Sequence, residues 1–261
     1  MKITREVDNS VTRYTWKALR THYHELRAGD IIEGEVGAAH RNAAVFIDLL
    51  QRGVVCIPSA LAQILSRSKV AQVAILGQYM HPLTMAIKRR KDLMEAMGIY
   101  ACAGVGAVVT KEEHMHCGHG VCRWDHVEMV YSSRGLDKER YPFIIQPLEE
   151  NFTDLRVILV GDYLEAYTRC NPNSFRKNLC AGGQYTPHEL TREQLQFCRQ
   201  VVDRAQFPYA HLDLQIMSDG RLHIFEIALN GGIQGSRLTR TELDRLKTQR
   251  LDQLVQMVHD I

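Results

Sequence analysis

Residues 142–170, PFIIQPLEENFTDLRVILVGDYLEAYTRC, contain three strand-like apolar runs. Gly161-Asp162 separates the second run from the third, and such a pair between apolar runs is typical of a β-hairpin. The arrangement returns at residues 210–229, where Asp219-Gly220 lies between two apolar runs. Helical patterns occupy residues 191–206, with Thr191 as the N-cap, and the stretch from residue 241 onward. The second half of the chain therefore predicts antiparallel hairpins and helices, an α+β fold.

The first half of the chain predicts a smaller unit followed by further helices and strands. Two strand-like runs, at 30–36 and 53–58, flank a helical pattern, so we expect a short βαβ-like unit there. We also expect helices at 59–76 and 81–98. Strands are expected at 104–111 and 126–133, on either side of a loop that contains glycine.

Composition excludes several classes of protein. The chain has 261 residues, 45% of them hydrophobic, and a formal net charge of +2, so its bulk charge indicates neither nucleic acid nor a membrane as a partner. It has no run of about 18 apolar residues and no signal-peptide pattern at its start. Its seven cysteines are scattered and odd in number, which is typical of reduced thiols. We therefore expect a cytoplasmic protein.

The loop in residues 108–121, VVTKEEHMHCGHGV, supports two interpretations. Its histidines and cysteine are ligands that zinc prefers, but no second group of ligands with zinc-site spacing stands elsewhere in the chain. Alternatively, Lys111 supplies a charge, while Gly118 and Gly120 let backbone amides approach phosphate oxygens. Gly-x-Gly alone is a weak signal, and the rest of the chain has to decide between the two.

The segment 142–183 resembles the central part of the ATP-grasp carboxylate–amine ligases, most closely their RimK-like branch. In that family a strand ends in Gln and a hinge over the adenine, and a Gly-Asp hairpin, an Arg-x-Asn element and Gly-Gly follow. The matching features here are Gln146-Pro147-Leu148, Asp154, Arg156, Gly161-Asp162, Arg176-Lys177-Asn178 and Gly182-Gly183. Upstream, Lys69 is similar to the family's helix lysine. The resemblance runs from about residue 69 to about residue 235 and favours the phosphate interpretation of the loop.

This resemblance implies an ATP-grasp fold, in which two α+β lobes clasp ATP behind a short N-terminal lobe. It implies a ligase that joins a carboxylate to an amine through an acyl phosphate, releases ADP and phosphate, and acts on an amino acid, a peptide or a small amino metabolite. The implied cofactors are ATP and Mg²⁺, with Mn²⁺ as an alternative. The residues expected to bind the nucleotide are Lys69, Lys111, Gly118, Gly120, Gln146, Pro147, Leu148, Asp154, Lys177 and Asn178. Those expected to be catalytic are Arg156, Arg169 and Arg176, and Arg237 is a further candidate for holding a substrate carboxylate.

The metal ligands are expected on the second hairpin. Asp213 and Glu226 stand on its two strands, so strand pairing brings the carboxylates together. They match the family's Asp and Glu, whereas the usual Asn two residues after the Glu is replaced by Ala228. We expect Asn230 to take the place of that ligand. The alternative is that Asn230-Gly231-Gly232 is only a turn.

The predicted division of the chain is 1–66 for the N-terminal βαβ-like lobe, 67–142 for the lobe with the glycine flap, and 143–261 for the lobe with the metal-ligand hairpin. The partners expected are small-molecule or peptide substrates, without nucleic acid or membrane, and the short first segment makes a homodimer a candidate assembly. Two other functions stay open: a non-catalytic ATP-binding module, because of Ala228, and a zinc-binding protein that uses the His/Cys loop.

Overall fold

The computed structural model describes residues 2–7, 10–13, 21–36, 42–113, 115, 120–177, 179 and 182–259. Their strands form three sheets, one after the other along the chain. Helices stand between the strands and after the last of them. The mixture of helices with mainly antiparallel sheets confirms the α+β class. None of the described helices is both long and apolar enough to cross a membrane.

The first sheet has the strand order β2-β1-β3-β4. Its strands are β1 (Lys2–Val7), β2 (Ser10–Arg13), β3 (Ile31–Glu33) and β4 (Val55–Ile57), and α1 (Ala43–Gln51) lies between the last two in sequence. β3 and β4 are parallel, which confirms the predicted βαβ-like unit. The β1–β2 hairpin was not predicted, because its short polar strands carry no apolar alternation.

Two short helices replace the single helix predicted at 59–76. α2 spans Ala60–Leu65 and α3 spans Lys69–Leu76. The break follows from Ser68, whose hydroxyl accepts a hydrogen bond from the Ala71 amide and so caps a new helix. Glu113 accepts from the Val70 amide at 2.9 Å. This second helix start places Lys69 in the first turn of α3.

The second sheet has the order β5-β8-β6-β7, and its pairs are antiparallel. It consists of β5 (Met85–Ile87), β6 (Val108–Glu112), β7 (Val121–Trp124) and β8 (Phe143–Pro147), with helices α4 (Arg90–Cys102) and α5 (Val127–Arg134). Two predictions are wrong here. The helix predicted at 81–98 begins only at Arg90, because β5 is an edge strand held by β8. Residues 126–133 form α5 instead of a strand, because β7 already pairs with β6. The helix buries Val130 and Arg134, which are four residues apart and therefore share one face.

The third sheet has the order β11-β10-β9-β12-β13 and is antiparallel. Its strands are β9 (Phe152–Val160), β10 (Tyr163–Cys170), β11 (Gln184–Pro187), β12 (Tyr209–Met217) and β13 (Leu222–Ala228), and its helices are α6 (Arg192–Ala205) and α7 (Arg240–His259). Both predicted hairpins are confirmed. Thr191 caps α6 as predicted, in a capping box with Gln194.

The two faces of the third sheet differ in chemistry because side chains alternate along a strand. One face of β9 and β12 carries Leu155, Val157, Leu212 and Leu214, which are fully buried in the largest apolar core. The opposite face carries charged side chains and forms the floor of a cavity. The predicted domain division stays a prediction, although β8, which it assigns to the last segment, is hydrogen-bonded into the second sheet.

Candidate active site

A cavity of about 630 Å³ lies between the second and third sheets. β6 and β8 supply one wall, while β9, β10, β12 and β13 supply the floor. The first turn of α3 and the loop after β13 close its sides. The volume is that of a site for a small organic ligand.

The predicted hinge residues Gln146, Pro147 and Leu148 all line this cavity. The hinge is fixed to the sheet, because the Leu148 amide donates to the carbonyl of Ala107 at 2.9 Å. Val109 and Phe225 add apolar surface from the neighbouring strands. An apolar slot of this kind suits a flat aromatic base such as adenine.

Lys69 and Lys111 meet in the cavity, although 42 positions separate them in the sequence. Both are buried, and backbone carbonyls hold their ammonium groups. Lys69 Nζ donates to the Met115 carbonyl at 2.7 Å, and Lys111 Nζ donates to the Phe225 carbonyl at 3.3 Å. Burial lowers the pKa of Lys111 to about 7, partly offset by the Glu226 carboxylate and reinforced by the charge of Lys69. The arrangement provides two cations that could contact phosphates.

Of the two flap glycines, Gly118 lies outside the described residues, as do His114, His116, Cys117 and His119. Gly120 has a φ of +74°, and a Cβ there would lie 2.7 Å from Glu112 Cγ and Met115 Sδ. A side chain would therefore disturb the return of the flap to β7. In the part of the chain that the structure describes, no group of three or more His, Cys, Asp and Glu residues could hold a metal ion.

Four charged side chains form an ion-pair network on the floor of the cavity. Arg156 on β9 pairs with both carboxylate oxygens of Asp213 on β12. Arg169 on β10 lies 2.6 Å from Asp154 Oδ1 and 3.1 Å from Asp213 Oδ1. Strand register produces the network, because Asp213 is opposite Arg156 and Asp154 is opposite Arg169. Two positive and two negative charges leave it neutral.

Burial and ion pairing shift the two carboxyl groups in opposite directions. Burial raises the pKa of Asp154 to about 6, with Arg169 as the main opposing charge. Burial would also raise the pKa of Asp213, but the charges of Arg156 and Arg169 together outweigh it and hold that pKa below the usual value. Asp213 therefore loses its proton at a lower pH than Asp154, and of the two carboxyl groups Asp154 is the one whose pKa lies closer to neutral pH.

The predicted metal pair, Asp213 and Glu226, is directly opposed on β12 and β13. Both line the cavity, and Glu226 Oε1 lies 3.8 Å from Lys69 Nζ. Both oxygens of Asp213 already pair with Arg156 or Arg169, so a Mg²⁺ ion would share Asp213 with these arginines and take its other ligands from Glu226, substrate phosphates and waters.

Asn230, the third predicted metal ligand, also lines the cavity but is engaged elsewhere. Its Oδ1 accepts a hydrogen bond from Lys247 Nζ at 2.8 Å, and its amide nitrogen donates to Glu35. Lys247 is buried and also donates to the Leu229 carbonyl at 2.7 Å. To ligate a metal ion, Asn230 Oδ1 would have to give up its hydrogen bond with Lys247 Nζ.

The loop after β10 brings further cations to the cavity. Arg176 donates to the Val121 carbonyl, and Lys177 Nζ donates to the Phe152 carbonyl at 2.7 Å. Asn178 lies outside the described residues. Arg237 does not line the cavity; its side chain is 77% exposed and pairs with Glu165, 3.2 Å away.

Sequence reasoning missed several lining residues. His211 and Gln215 stand on the same face of β12 as Asp213, and Arg240 begins α7. Alternation from Asp213 could have found His211 and Gln215, since residues two apart share a face of a strand. No local pattern indicates Arg240, which reaches the cavity through the packing of α7.

The α+β sheets and the charged cavity between the second and third of them are those of an ATP-grasp enzyme. A profile of the RimK-like ATP-grasp domain matches residues 68–249, more than half of the chain. The chain belongs to that family, and it is a ligase that uses ATP to join a carboxylate to an amine. None of the curated protein sequences matches it.

Solved structures share the fold at low sequence identity. D-alanyl-alanine synthetase A from Vibrio cholerae O1 is 10% identical, with a TM-score of 0.58 over 84% of this chain and 74% of its own. The D-cycloserine synthetase DcsG is 14% identical, with a TM-score of 0.57 over 83% and 78%. A RiPP-associated ATP-grasp ligase from Chryseobacterium gregarium, solved with ADP and a leader and core peptide, is 16% identical, with a TM-score of 0.55 over 82% and 67%. These similarities confirm the ATP-grasp fold.

Proposed function

We propose that this ligase binds Mg²⁺-ATP in the cavity between its second and third sheets and phosphorylates the carboxylate of an amino acid or peptide. The observation that carries the proposal is the meeting of Lys69 and Lys111 with Asp213 and Glu226 in one cavity beside the hinge. Cations are needed for phosphates and carboxylates for a divalent metal, and this cavity offers both.

The reaction has two steps. A carboxylate oxygen of the acid attacks the γ-phosphorus, the bond from that phosphorus to the β,γ-bridging oxygen breaks, and ADP leaves. The amine nitrogen then attacks the carbonyl carbon of the acyl phosphate, phosphate departs, and the amine loses a proton. The acyl phosphate is required because phosphate is a better leaving group than hydroxide.

Each part of the cavity contributes to these steps. The hinge at 146–148 would hold the adenine, while Lys69, Lys111 and Lys177 would neutralise phosphate charge. Asp213 and Glu226 would hold Mg²⁺, which stabilises negative charge on the transferring phosphoryl group. Arg156 and Arg169 would keep Asp213 ionised and oriented through their ion pairs. Arg176 would contact the transferring group.

The test is ADP release with each of the twenty amino acids as the acid and hydroxylamine as the amine, which converts an acyl phosphate to a hydroxamate that forms a coloured complex with iron(III). We expect hydroxamate with at least one acid, and none when divalent metal is chelated. Asp213→Asn and Glu226→Gln should each reduce it about 100-fold or more. Asp219→Asn, in the exposed turn of the same hairpin, is the matched control.

One observation favours the alternative of a non-catalytic nucleotide-binding module: Ala228 stands where the family has Asn, and Lys247 occupies Asn230. Calorimetry with a non-hydrolysable ATP analogue separates the two. Binding that strengthens at least tenfold with Mg²⁺ supports the ligase, and equal binding without metal supports the module. The predicted cytoplasmic location and homodimer stay predictions.

A further inference from the structure

His211 is a buried polar side chain that neither the family match nor the predicted site explains. It lies on β12 two residues before Asp213, on the cavity face, and is 3% exposed. Among the described residues, neither ring nitrogen has a hydrogen-bond partner. Its cross-strand neighbour is Ala228, whose methyl group offers the ring no hydrogen-bonding atom.

An unpartnered imidazole in such a place is costly. Most buried polar groups have a hydrogen-bond partner because leaving one without a partner is unfavourable, and among the described residues His211 has none for either ring nitrogen. His188, for comparison, contacts the Gln194 side chain at 2.9 Å. His211 instead carries one N–H donor and one acceptor without a described partner, on a residue that lines the cavity.

The surroundings of His211 select an anion. Gly231 lies close to both the His211 ring and Arg156. A Cβ on Gly231 would be 2.8 Å from His211 Nδ1 and 2.9 Å from Arg156 Nη1. Arg156, Lys247 and Arg240 add positive charge close enough to influence the ring, and they outnumber the one negative neighbour, Asp213. Cations disfavour a metal ion at this point and favour a carboxylate or a phosphoryl oxygen.

The His211 ring lies at one end of the cavity floor, apart from the hinge. On β12, His211 and Gln215 stand on opposite sides of Asp213, and Gly231 of the loop after β13 lies beside His211. The hinge residue Gln146 and the Lys111 side chain come from the second sheet. The ring thus lies at the end of the floor bounded by the loop after β13.

We propose that His211 is a catalytic residue that donates a hydrogen bond to the carboxylate of the acid substrate and keeps this contact in the acyl phosphate. The inference rests on the proposed ligase function. Donation from the imidazole, with the positive charges of Arg240 and Lys247 nearby, would hold the carboxylate oxygen that is not phosphorylated. The ring then acts in acid binding and has no part in nucleotide binding.

The first experiment measures binding directly by NMR of protein labelled with ¹⁵N in the histidine rings, with the His211 signals assigned by their loss in His211→Asn. Mg²⁺-ADP is added first, and acetyl phosphate, the simplest acyl phosphate, is added second. We expect the His211 ring signals to move only with acetyl phosphate. No movement with acetyl phosphate, or a complete shift with Mg²⁺-ADP alone, overturns the proposal.

The second experiment measures kinetics with the amino acid that gives the most hydroxamate. His211→Leu should raise the KM for that acid at least tenfold and leave the KM for ATP within twofold. His211→Asn or His211→Gln, which restore a donor near one ring nitrogen, should recover part of the loss. An unchanged KM for the acid in His211→Leu overturns the proposal.

His223→Leu is the matched control. His223 is also a buried histidine of the third sheet with an unpartnered nitrogen, but it does not line the cavity. It should leave the KM for the acid within twofold of wild type, and an increase equal to that of His211→Leu would assign both effects to folding and overturn the proposal. If the wild type forms no hydroxamate with any acid, the proposed function fails, and the NMR measurement still decides the role of His211.

Discussion

Lys69 and Lys111 differ from Arg156 and Arg169 in what holds their charges in place. The lysines donate to backbone carbonyls. Lys69 Nζ also lies 3.8 Å from Glu226 Oε1, which is a long distance for an ion pair. The arginines pair directly with Asp154 and Asp213 on neighbouring strands. Both sets are buried cations in one cavity. Only the lysines lack a full counter-charge.

This difference separates residues that bind the nucleotide from residues that stabilise the protein. A buried cation held only by carbonyls destabilises the empty protein and gains most when an anion arrives. A buried cation in a neutral network stabilises the floor and leaves little attraction for a further anion. We therefore expect the lysines to dominate nucleotide affinity and the arginines to dominate stability.

Replacing Arg169 by Met tests the stabilising role and should give the largest effect. It leaves Asp154 and Asp213 close together with one arginine, so the free energy of unfolding should fall by about 3–5 kcal/mol. Urea unfolding measures it. Arg221→Met, which removes an exposed pair with Asp219 at the turn of β12 and β13, should cost less than about 1 kcal/mol. Equal losses would contradict the distinction.

Replacing Lys111 by Met tests the binding role. The affinity for Mg²⁺-ADP should fall by about 1.5–3 kcal/mol, or roughly 10- to 150-fold, because a charge-assisted contact to phosphate is lost. The free energy of unfolding at pH 7 should stay the same or rise, because a buried cation is removed. Calorimetry and urea unfolding measure the two quantities. A variant that unfolds easily and still binds ADP normally would reverse the assignment.

The lowered pKa of Lys111 makes both quantities depend on pH. Its pKa is about 7 in the folded protein and about 10.5 in the unfolded chain, so between these values the unfolded chain binds more protons. The contribution of Lys111 to stability therefore increases as pH rises through this window. ADP binding, which needs the charged form, should weaken by up to about tenfold per pH unit above pH 7.5. Lys111→Arg should flatten this dependence, because arginine stays protonated.

Gly231→Ala should give the smallest effect, and it tests how closely the residues on the cavity floor are packed. Its Cβ would lie within 3 Å of His211 and Arg156. We therefore expect kcat/KM for the acid to fall roughly fivefold, a change of about 1 kcal/mol in activation free energy, with ADP affinity unchanged. Gly232→Ala is the neighbouring control, since nothing lies within 4 Å of a Cβ there. If the two variants behave alike, crowding of His211 and Arg156 is not the cause.

Local chemistry predicted much of the second half of the chain. The turns at Gly161-Asp162 and Asp219-Gly220, and the cap at Thr191, produced the expected hairpins and helix because turn and cap preferences act within a few residues. Residues 126–133 were predicted wrongly because a short apolar segment fits either periodicity. The pairing of β7 with β6 left that segment to form a helix.

Residue type and short spacing were enough to predict the two hairpins of the third sheet and the lysines and carboxylates that carry the family pattern. The folded chain was needed to show that Arg156 and Arg169 neutralise Asp154 and Asp213, that Lys247 donates to Asn230, and that His211 lines the cavity without a partner among the described residues. Charge pairing and burial depend on strand register and on helices distant in the sequence. No local pattern contains that information.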